Sequence, residues 1–287
     1  MNISLFDNLF QKGERMVLNR RRTFIKSSTA TAAALALGGC TTASIGQSHS
    51  GVRSKRNYLL VHGAWLGGWC WKKVIPLLYA EGHNVHVITL TGLGDRAHLH
   101  NRGIDLDTHI QDVVAYLDME DLNDVVLVGH SYAGMVITGV SERVSHRLRS
   151  IVYLDAFLPE DGKRLLDYQS SDRREASLKL GLETGIAAPL PIHLLGLEKE
   201  EDIEWVKARL SQQSFQTFAQ PVRLTKNAHL KMPRTYVLCT GRSTGSFGQF
   251  AEKVRKDPGW NYIELKTGHN LMITAPYETS RILLEAP

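Results

Sequence analysis

Gly129-His130-Ser131-Tyr132-Ala133-Gly134 directly follows the apolar run Asp124–Val128 and opens a helical pattern that extends to Val144. A serine between small residues at a strand-to-helix turn is the setting of a nucleophile elbow. Small neighbours relieve crowding in a tight bend, so the hydroxyl stands clear at the edge of a sheet. The helix N-terminus behind it favours negative charge as it develops. The fifth position is usually Gly; here it is Ala133, with Gly134 next. An N-capping serine in a glycine-rich turn has the same local appearance, so the surrounding segments must decide between the two.

Two segments do so. His62-Gly63-Ala64-Trp65-Leu66-Gly67-Gly68-Trp69 follows the first apolar run. Its turn can aim the Ala64 amide at Ser131, and with the Tyr132 amide that makes a two-donor oxyanion hole. His62 is expected to hold this loop by hydrogen bonds. Gly268-His269-Asn270 follows the last apolar run, and His269 is the histidine placed to serve as a base. His146 and His229 read as surface residues and His193 as part of an insertion.

Beyond these motifs the chain alternates. Apolar runs at Tyr58–Val61, Val85–Leu90, Asp124–Val128, Ile151–Leu154, Thr235–Cys239 and Tyr262–Leu265 are separated by helical patterns at Trp69–Glu81, Asp107–Met119, Tyr132–Val144 and Phe247–Lys256, with Pro276–Leu284 closing the series. Near-continuous apolar strands between helices predict a doubly wound, mainly parallel sheet of about six strands, covered on both faces. Its chemistry gathers at the carboxyl ends of the strands. From about 158 to 232 the alternation stops. A bare loop that long does not fit inside a compact domain, so the stretch predicts an inserted, mostly helical cap with the charge run Glu198–Glu204 on a solvated face.

With HGAWLGGW (62–69), LTGLG (90–94), GHSYAG (129–134), YLDAFLP (153–159) and GHNLMITAP (268–276) in place, the chain resembles the α/β-hydrolase superfamily over roughly residues 58–284. Within it, the chain is similar to small esterases related to plant methyl-salicylate esterases and hydroxynitrile lyases. The resemblance implies an α/β-hydrolase fold, Ser131 as nucleophile, His269 as general base, Ala64 and Tyr132 as oxyanion amides, and no cofactor or metal. The lyases carry Thr after the oxyanion-loop His and Lys after the catalytic His. Gly63 and Asn270 stand there instead. Both differences favour ester hydrolysis over C–C cleavage. A non-catalytic small-molecule binder on the same scaffold is the third reading.

One departure stands out. Most members of the superfamily carry the acid after the next-to-last strand, yet no carboxylate occurs between Tyr236 and Ala251. Asp155, at the carboxyl end of the strand after the nucleophile helix, is the expected substitute. Glu160 and Asp161 lie near the cap hinge, and Asp257 falls at the opposite end of the last strand. Trp65, Trp69, Trp71, Tyr132, Phe157 and Leu158 are expected to line an apolar pocket for a small or aromatic ester. Trp69 and Trp71 read equally well as core. Leu93-Gly94-Asp95-Arg96 is expected at the entrance.

The 287 residues are 43% hydrophobic and 22% charged, which excludes disordered and multi-span membrane classes. The net charge of +5 invites a nucleic-acid partner. Residues 1–39, however, hold six Lys and Arg against two acids and so carry +4 of it. A near-neutral body has no field for phosphate. Arg21-Arg22-Thr23-Phe24-Ile25-Lys26, the apolar stretch Ser27–Leu37 and Leu37-Gly38-Gly39-Cys40 read as a twin-arginine signal ending in a lipidated Cys40. Thr41–Arg56 then reads as a tether, residues 57–287 as one hydrolase domain, and the lipid as the sole membrane contact of a periplasmic or cell-envelope protein. Met16 offers an alternative start. Cys70 and Cys239 alone make no disulfide framework. His98 and His100 read as solvated loop residues, and oligomeric state leaves no signature.

Overall fold

The computed structural model describes residues 54–188, 190–241 and 247–287. The signal segment, Cys40, most of the tether, Pro189 and the loop residues 242–246 lie outside the described residues.

Six strands form one sheet: β1 (Asn57–Val61), β2 (Asn84–Ile88), β3 (Val125–His130), β4 (Leu148–Leu154), β5 (Arg234–Cys239) and β6 (Asn261–Leu265). Their order is β2-β1-β3-β4-β5-β6, and every neighbouring pair is parallel. The strands read as unbroken apolar runs because both faces are covered. Leu59, Val61, Leu127 and Tyr153 join one core cluster, while their alternates Tyr58, Leu60, Val128 and Val152 join the other.

The helices are α1 (Ile75–Ala80), α2 (Leu106–Met119), α3 (Ala133–Val144), α4 (Ser171–Thr184), α5 (Glu200–Lys207), α6 (Gln216–Ala219), α7 (Gly248–Arg255), α8 (Leu271–Thr274) and α9 (Pro276–Glu285). α2 starts at a reciprocal cap: the Asp105 carboxylate accepts the Thr108 N–H at 2.8 Å while the Thr108 hydroxyl accepts the Asp105 N–H. The helix expected over Trp69–Glu81 is split into a 3-10 turn, Gly68–Trp71, and α1. Pro76, lacking an N–H, sits in the first turn of α1, where that donor is not needed.

The stretch between β4 and β5 carries α4, α5 and α6 with 3-10 turns at Leu165–Tyr168, Ile192–Leu195 and Ala228–Lys231. The last of these corrects one expectation. His229 is buried, 3% exposed, because its turn packs on α3, where the Glu142 carboxylate accepts the N–H groups of Lys226 and Ala228.

Candidate active site

β3 ends in a bend whose strain falls on one residue. Ser131 has φ 55°, in the left-handed region that L-residues avoid at a cost of about 1–2 kcal/mol. Backbone bonds hold it there: the Ser131 N–H donates to the Leu154 carbonyl at 3.2 Å, and the Phe157 and Gly134 N–H groups both donate to the Ser131 carbonyl at 3.1 Å. The glycine displaced by one position now has a reason. A Cβ on Gly134 would lie 1.9 Å from the Phe157 carbonyl oxygen, whereas Ala133 is accommodated and fully buried. The chain after β4 thus crosses the start of α3 at the second helical residue, so glycine is required at 134 and not at 133.

Asp155 ends β4 in a second left-handed bend, φ 43°. Its N–H donates to the Val237 carbonyl at 2.7 Å, which seats it between β4 and β5. One carboxylate oxygen, Oδ1, accepts the Cys239 N–H at 3.0 Å, and Oδ2 accepts from His269 Nδ1 at 2.6 Å. His269 Nε2 in turn faces Ser131 Oγ at 2.9 Å. A carboxylate can only accept, so the proton sits on Nδ1 and Nε2 is free to accept from the hydroxyl. Asp155 and His269 are almost completely buried and Ser131 is 8% exposed. The structure therefore brings Ser131, His269 and Asp155 into one hydrogen-bonded chain. The other carboxylates lie elsewhere: Glu160 pairs with Lys253, Asp161 accepts the Leu224 N–H, and Asp257 pairs with Arg234 at the start of β5.

The imidazole is fixed from three further sides. Phe247 stacks on it with ring centroids 5.0 Å apart and planes 13° apart. His130 Nε2 donates to the His269 carbonyl at 2.9 Å. Burial, reinforced by the neighbouring His269, pushes the pKa of His130 well below its ordinary value, so it stays neutral. Gly196, from the stretch between β4 and β5, lies against the backbone: a Cβ on Gly268 would fall 1.9 Å from the Gly196 oxygen. Asn270 is fully buried and donates from its side chain to the Leu195 carbonyl at 3.0 Å, so it ties down this segment and does not face the serine.

The loop after β1 is clamped as firmly. His62 Nδ1 donates to the Gly63 carbonyl at 2.8 Å and Nε2 accepts the Leu90 N–H at 3.1 Å, bridging the ends of β1 and β2. Burial lowers its pKa to about 4 and keeps it neutral for both bonds. Trp65 adopts φ 61°. Its N–H donates to Gln213 Oε1 at 2.9 Å and its carbonyl accepts the Ser211 N–H at 3.0 Å. The neighbouring Ala64 N–H and the Tyr132 N–H have no acceptor among the described residues. Gln213, fully buried, also donates to Thr217 at 2.8 Å. The Tyr132 hydroxyl donates to His109 Nδ1 at 2.9 Å, and His109 Nε2 donates to the Thr91 carbonyl at 2.9 Å. A Cβ on Gly63 would lie 2.7 Å from His130 Nδ1 and 3.0 Å from Ser131 Cβ, so no larger side chain fits there without displacement.

Ser131 and His269 open into a narrow cleft with about 410 Å³ of unfilled space, its mouth included. Trp65, Tyr132, Phe157, Leu165, Phe218 and Phe247 make its walls apolar. Leu158 does not line it. The chain turns after Phe157, and the Leu158 side chain packs half-buried against the core. Trp71 is fully buried in the core, and Trp69 packs edge-on against Trp205 at 5.0 Å. Gly94 and Asp95 line a separate open groove instead of the cleft mouth. Sequence reasoning missed Gln169 and Arg173, which line the cleft, and Gln213. No motif marks them, since they come from the stretch without strand alternation. Cys70 and Cys239 are free and buried, and burial pushes both thiols up. Among the described residues no group of His, Cys, Asp and Glu is spaced to hold a metal ion.

Comparison with known proteins gives a consistent picture. A model described as the alpha/beta hydrolase family matches residues 58–281. A carbendazim hydrolyzing esterase of Nocardioides sp. (strain SG-4G) is 38% identical over 237 residues, covering 79% of this chain and 98% of that one. Methylesterase 10 of Arabidopsis thaliana is 27% identical over 263 residues, covering 83% and 94%. Among solved structures, an extracellular alpha/beta-hydrolase from a Paenibacillus species superposes with a TM-score of 0.70 at 24% identity, covering 80% of this chain and 98% of its own. That structure is described as sharing homology with tobacco salicylic acid binding protein 2; at this identity the likeness shows the fold alone.

Proposed function

The chain belongs to the alpha/beta hydrolase family, and from that premise we propose that it is a serine carboxylic-ester hydrolase acting on small apolar or aromatic esters. The observation that carries the proposal is the continuous chain Ser131 Oγ, His269 Nε2, His269 Nδ1, Asp155 Oδ2, with links of 2.9 and 2.6 Å. Esterases among the relatives support the same reaction class.

In this mechanism Ser131 Oγ attacks the ester carbonyl carbon while His269 Nε2 takes its proton. The carbonyl oxygen becomes an oxyanion held by the Ala64 and Tyr132 amides. His269 returns the proton to the leaving oxygen as the C–O bond breaks, leaving an acyl group on Ser131. Water, losing its proton to the same nitrogen, adds to the acyl carbon, and collapse frees the acid and restores the serine. Asp155 holds the imidazole with Nδ1 protonated and stabilises the imidazolium formed in each half. None of these steps calls on a metal or organic cofactor.

The crowding at Gly63 argues against the lyase arrangement, which places a threonine at that position. Against the binder reading, a phosphonate ester provides the test. Covalent labelling of Ser131, abolished in Ser131→Ala together with p-nitrophenyl ester hydrolysis, is the expected result. Undiminished hydrolysis by Ser131→Ala would overturn the assignment.

The N-terminal segment belongs to the same proposal. Arg21-Arg22 and the Leu37–Cys40 motif support export by the twin-arginine route, lipidation at Cys40, and a periplasmic or cell-envelope site with membrane contact only through the lipid. Radiolabelled palmitate incorporation that persists in Cys40→Ser would refute the anchor.

A further inference from the structure

Eight of the twelve cleft-lining residues are apolar or aromatic, and Ser131 and His269 are engaged with each other. Gln169 and Arg173 are the polar groups left over. Gln169 is half-buried, and its Oε1 is buried without a hydrogen-bond partner. Arg173 is half-buried and, among the described residues, makes no hydrogen bond or ion pair. It is the only Lys or Arg among the described residues lining the cleft.

The fold gains nothing visible from this placement. Arg173 lies in the first turn of α4, where unpaired N–H groups already concentrate positive potential and a cation is disfavoured. Desolvation pushes its pKa down from the ordinary value, and no neighbouring carboxylate opposes the shift. Arg147 and Arg164, half-buried like it, are neutralised, by Asp118 at 3.1 Å and Asp167 at 2.7 Å; Arg174 is half-buried and unpaired too, but it does not line the cleft. A guanidinium cannot escape its cost by losing its proton. An unpaired charge aimed into a substrate cleft is therefore one whose partner arrives with the ligand.

We propose that Arg173 is an anion-recognition residue and that the preferred substrates are esters bearing a carboxylate, or another anionic oxygen, at the end remote from the scissile bond. This deepens the ester-hydrolase reading and rests on it. The apolar walls hold the body of the substrate, the guanidinium takes two oxygens of its anionic end in a fork, and the Gln169 amide supplies a neutral contact beside it. A substrate with a cationic end is excluded by the same field.

The experiment uses the described domain together with its N-terminal segment and two matched ester pairs. One is 4-carboxyphenyl acetate against 4-acetylphenyl acetate, with the charge on the leaving half; the other is monomethyl terephthalate against methyl 4-acetylbenzoate, with the charge on the acyl half. Hydrolysis of p-nitrophenyl acetate, dependent on Ser131, reads the hydrolase alone. In at least one pair the carboxylate member should be preferred in kcat/KM by about tenfold or more, and the preference should shrink as salt is raised. Arg173→Gln should bring that ratio to near one, Arg173→Lys should retain part of it, and Arg174→Gln, at the adjacent position outside the cleft, should leave it unchanged. Circular dichroism of each variant reads folding separately. Equal rates within both pairs while p-nitrophenyl acetate is hydrolysed, or a preference that survives Arg173→Gln, would overturn the anion inference and leave the hydrolase reading standing. A wild-type protein inert toward the reporter would overturn both.

Discussion

Asp155 and His269 meet at 2.6 Å across 114 residues of chain, and the carboxylate that reaches the imidazole is simultaneously held by the Cys239 N–H at the end of the neighbouring strand. The carboxylate thus leaves from β4 yet is aligned by β5. Asp155→Asn should fold, because an amide oxygen can still accept the Cys239 N–H. Its other end offers a donor or a neutral acceptor where the imidazole needs an anion, so kcat should fall by on the order of 10³–10⁴-fold. Ester-hydrolysis kinetics with a loss under about tenfold would remove Asp155 from the mechanism.

Gln213 acts on the oxyanion loop through one bond, its 2.9 Å contact with the Trp65 N–H. Gln213→Leu keeps much of the volume and leaves that buried donor unmet. The expected cost is about 1–3 kcal/mol of stability. Loosening the adjacent Ala64 amide should lower kcat about ten- to a hundredfold while KM for a neutral ester changes little. A variant that loses stability in urea titration but keeps kcat would limit Gln213 to holding the fold.

Gly134→Ala drives a methyl group against the Phe157 carbonyl, 1.9 Å away, and backbone cannot yield as a flexible side chain does. A destabilisation of roughly 3 kcal/mol or more is expected, or failure to fold. Ala133→Gly meets no such obstacle and should cost no more than about 1 kcal/mol of helix propensity. Thermal unfolding of the two variants side by side tests the asymmetry.

The protein should lose stability as pH falls through the range between 6.5 and about 4. His62, His109 and His229 are pushed from 6.5 to about 4, foremost by burial. Above 6.5 folded and unfolded chains hold these rings equally neutral, and the full stability is present. Below it the unfolded chain binds protons that the folded chain refuses, so unfolding becomes easier, by up to roughly 1.4 kcal/mol per pH unit for each ring. With His130, which burial also holds well below its ordinary value, proton uptake of up to about four per molecule on unfolding near pH 5, read from the pH dependence of urea midpoints, is the expected signature; a flat profile would contradict it.

The central strands were legible because they are apolar on both faces, as a covered parallel sheet needs, and the edge strands β2 and β6 because of their β-branched and aromatic runs; all six appear within a few residues of their expected bounds. Ser131, His269 and Ala64 were legible because the turns that carry them need small residues, and small residues leave a pattern. Asp155 was legible only by elimination. Arg173, Gln169 and Gln213 were not, since their positions depend on how the stretch between β4 and β5 folds back over the sheet, which has no period to read. His229 was misjudged for the same reason: the carboxylate that secures its turn lies on α3, far away in sequence.

The backbone crossing at Gly196 and Gly268 has a mechanical consequence. Two peptide segments in bare contact, with Asn270 fastening the same strip to Leu195, make that side of the cavity a wall and not a hatch. Swinging it outward would drag the imidazole's own peptide along and pull the ring away from Ser131 and Asp155. Reactant and product must therefore pass along another part of the rim, and that part carries any motion their exchange demands.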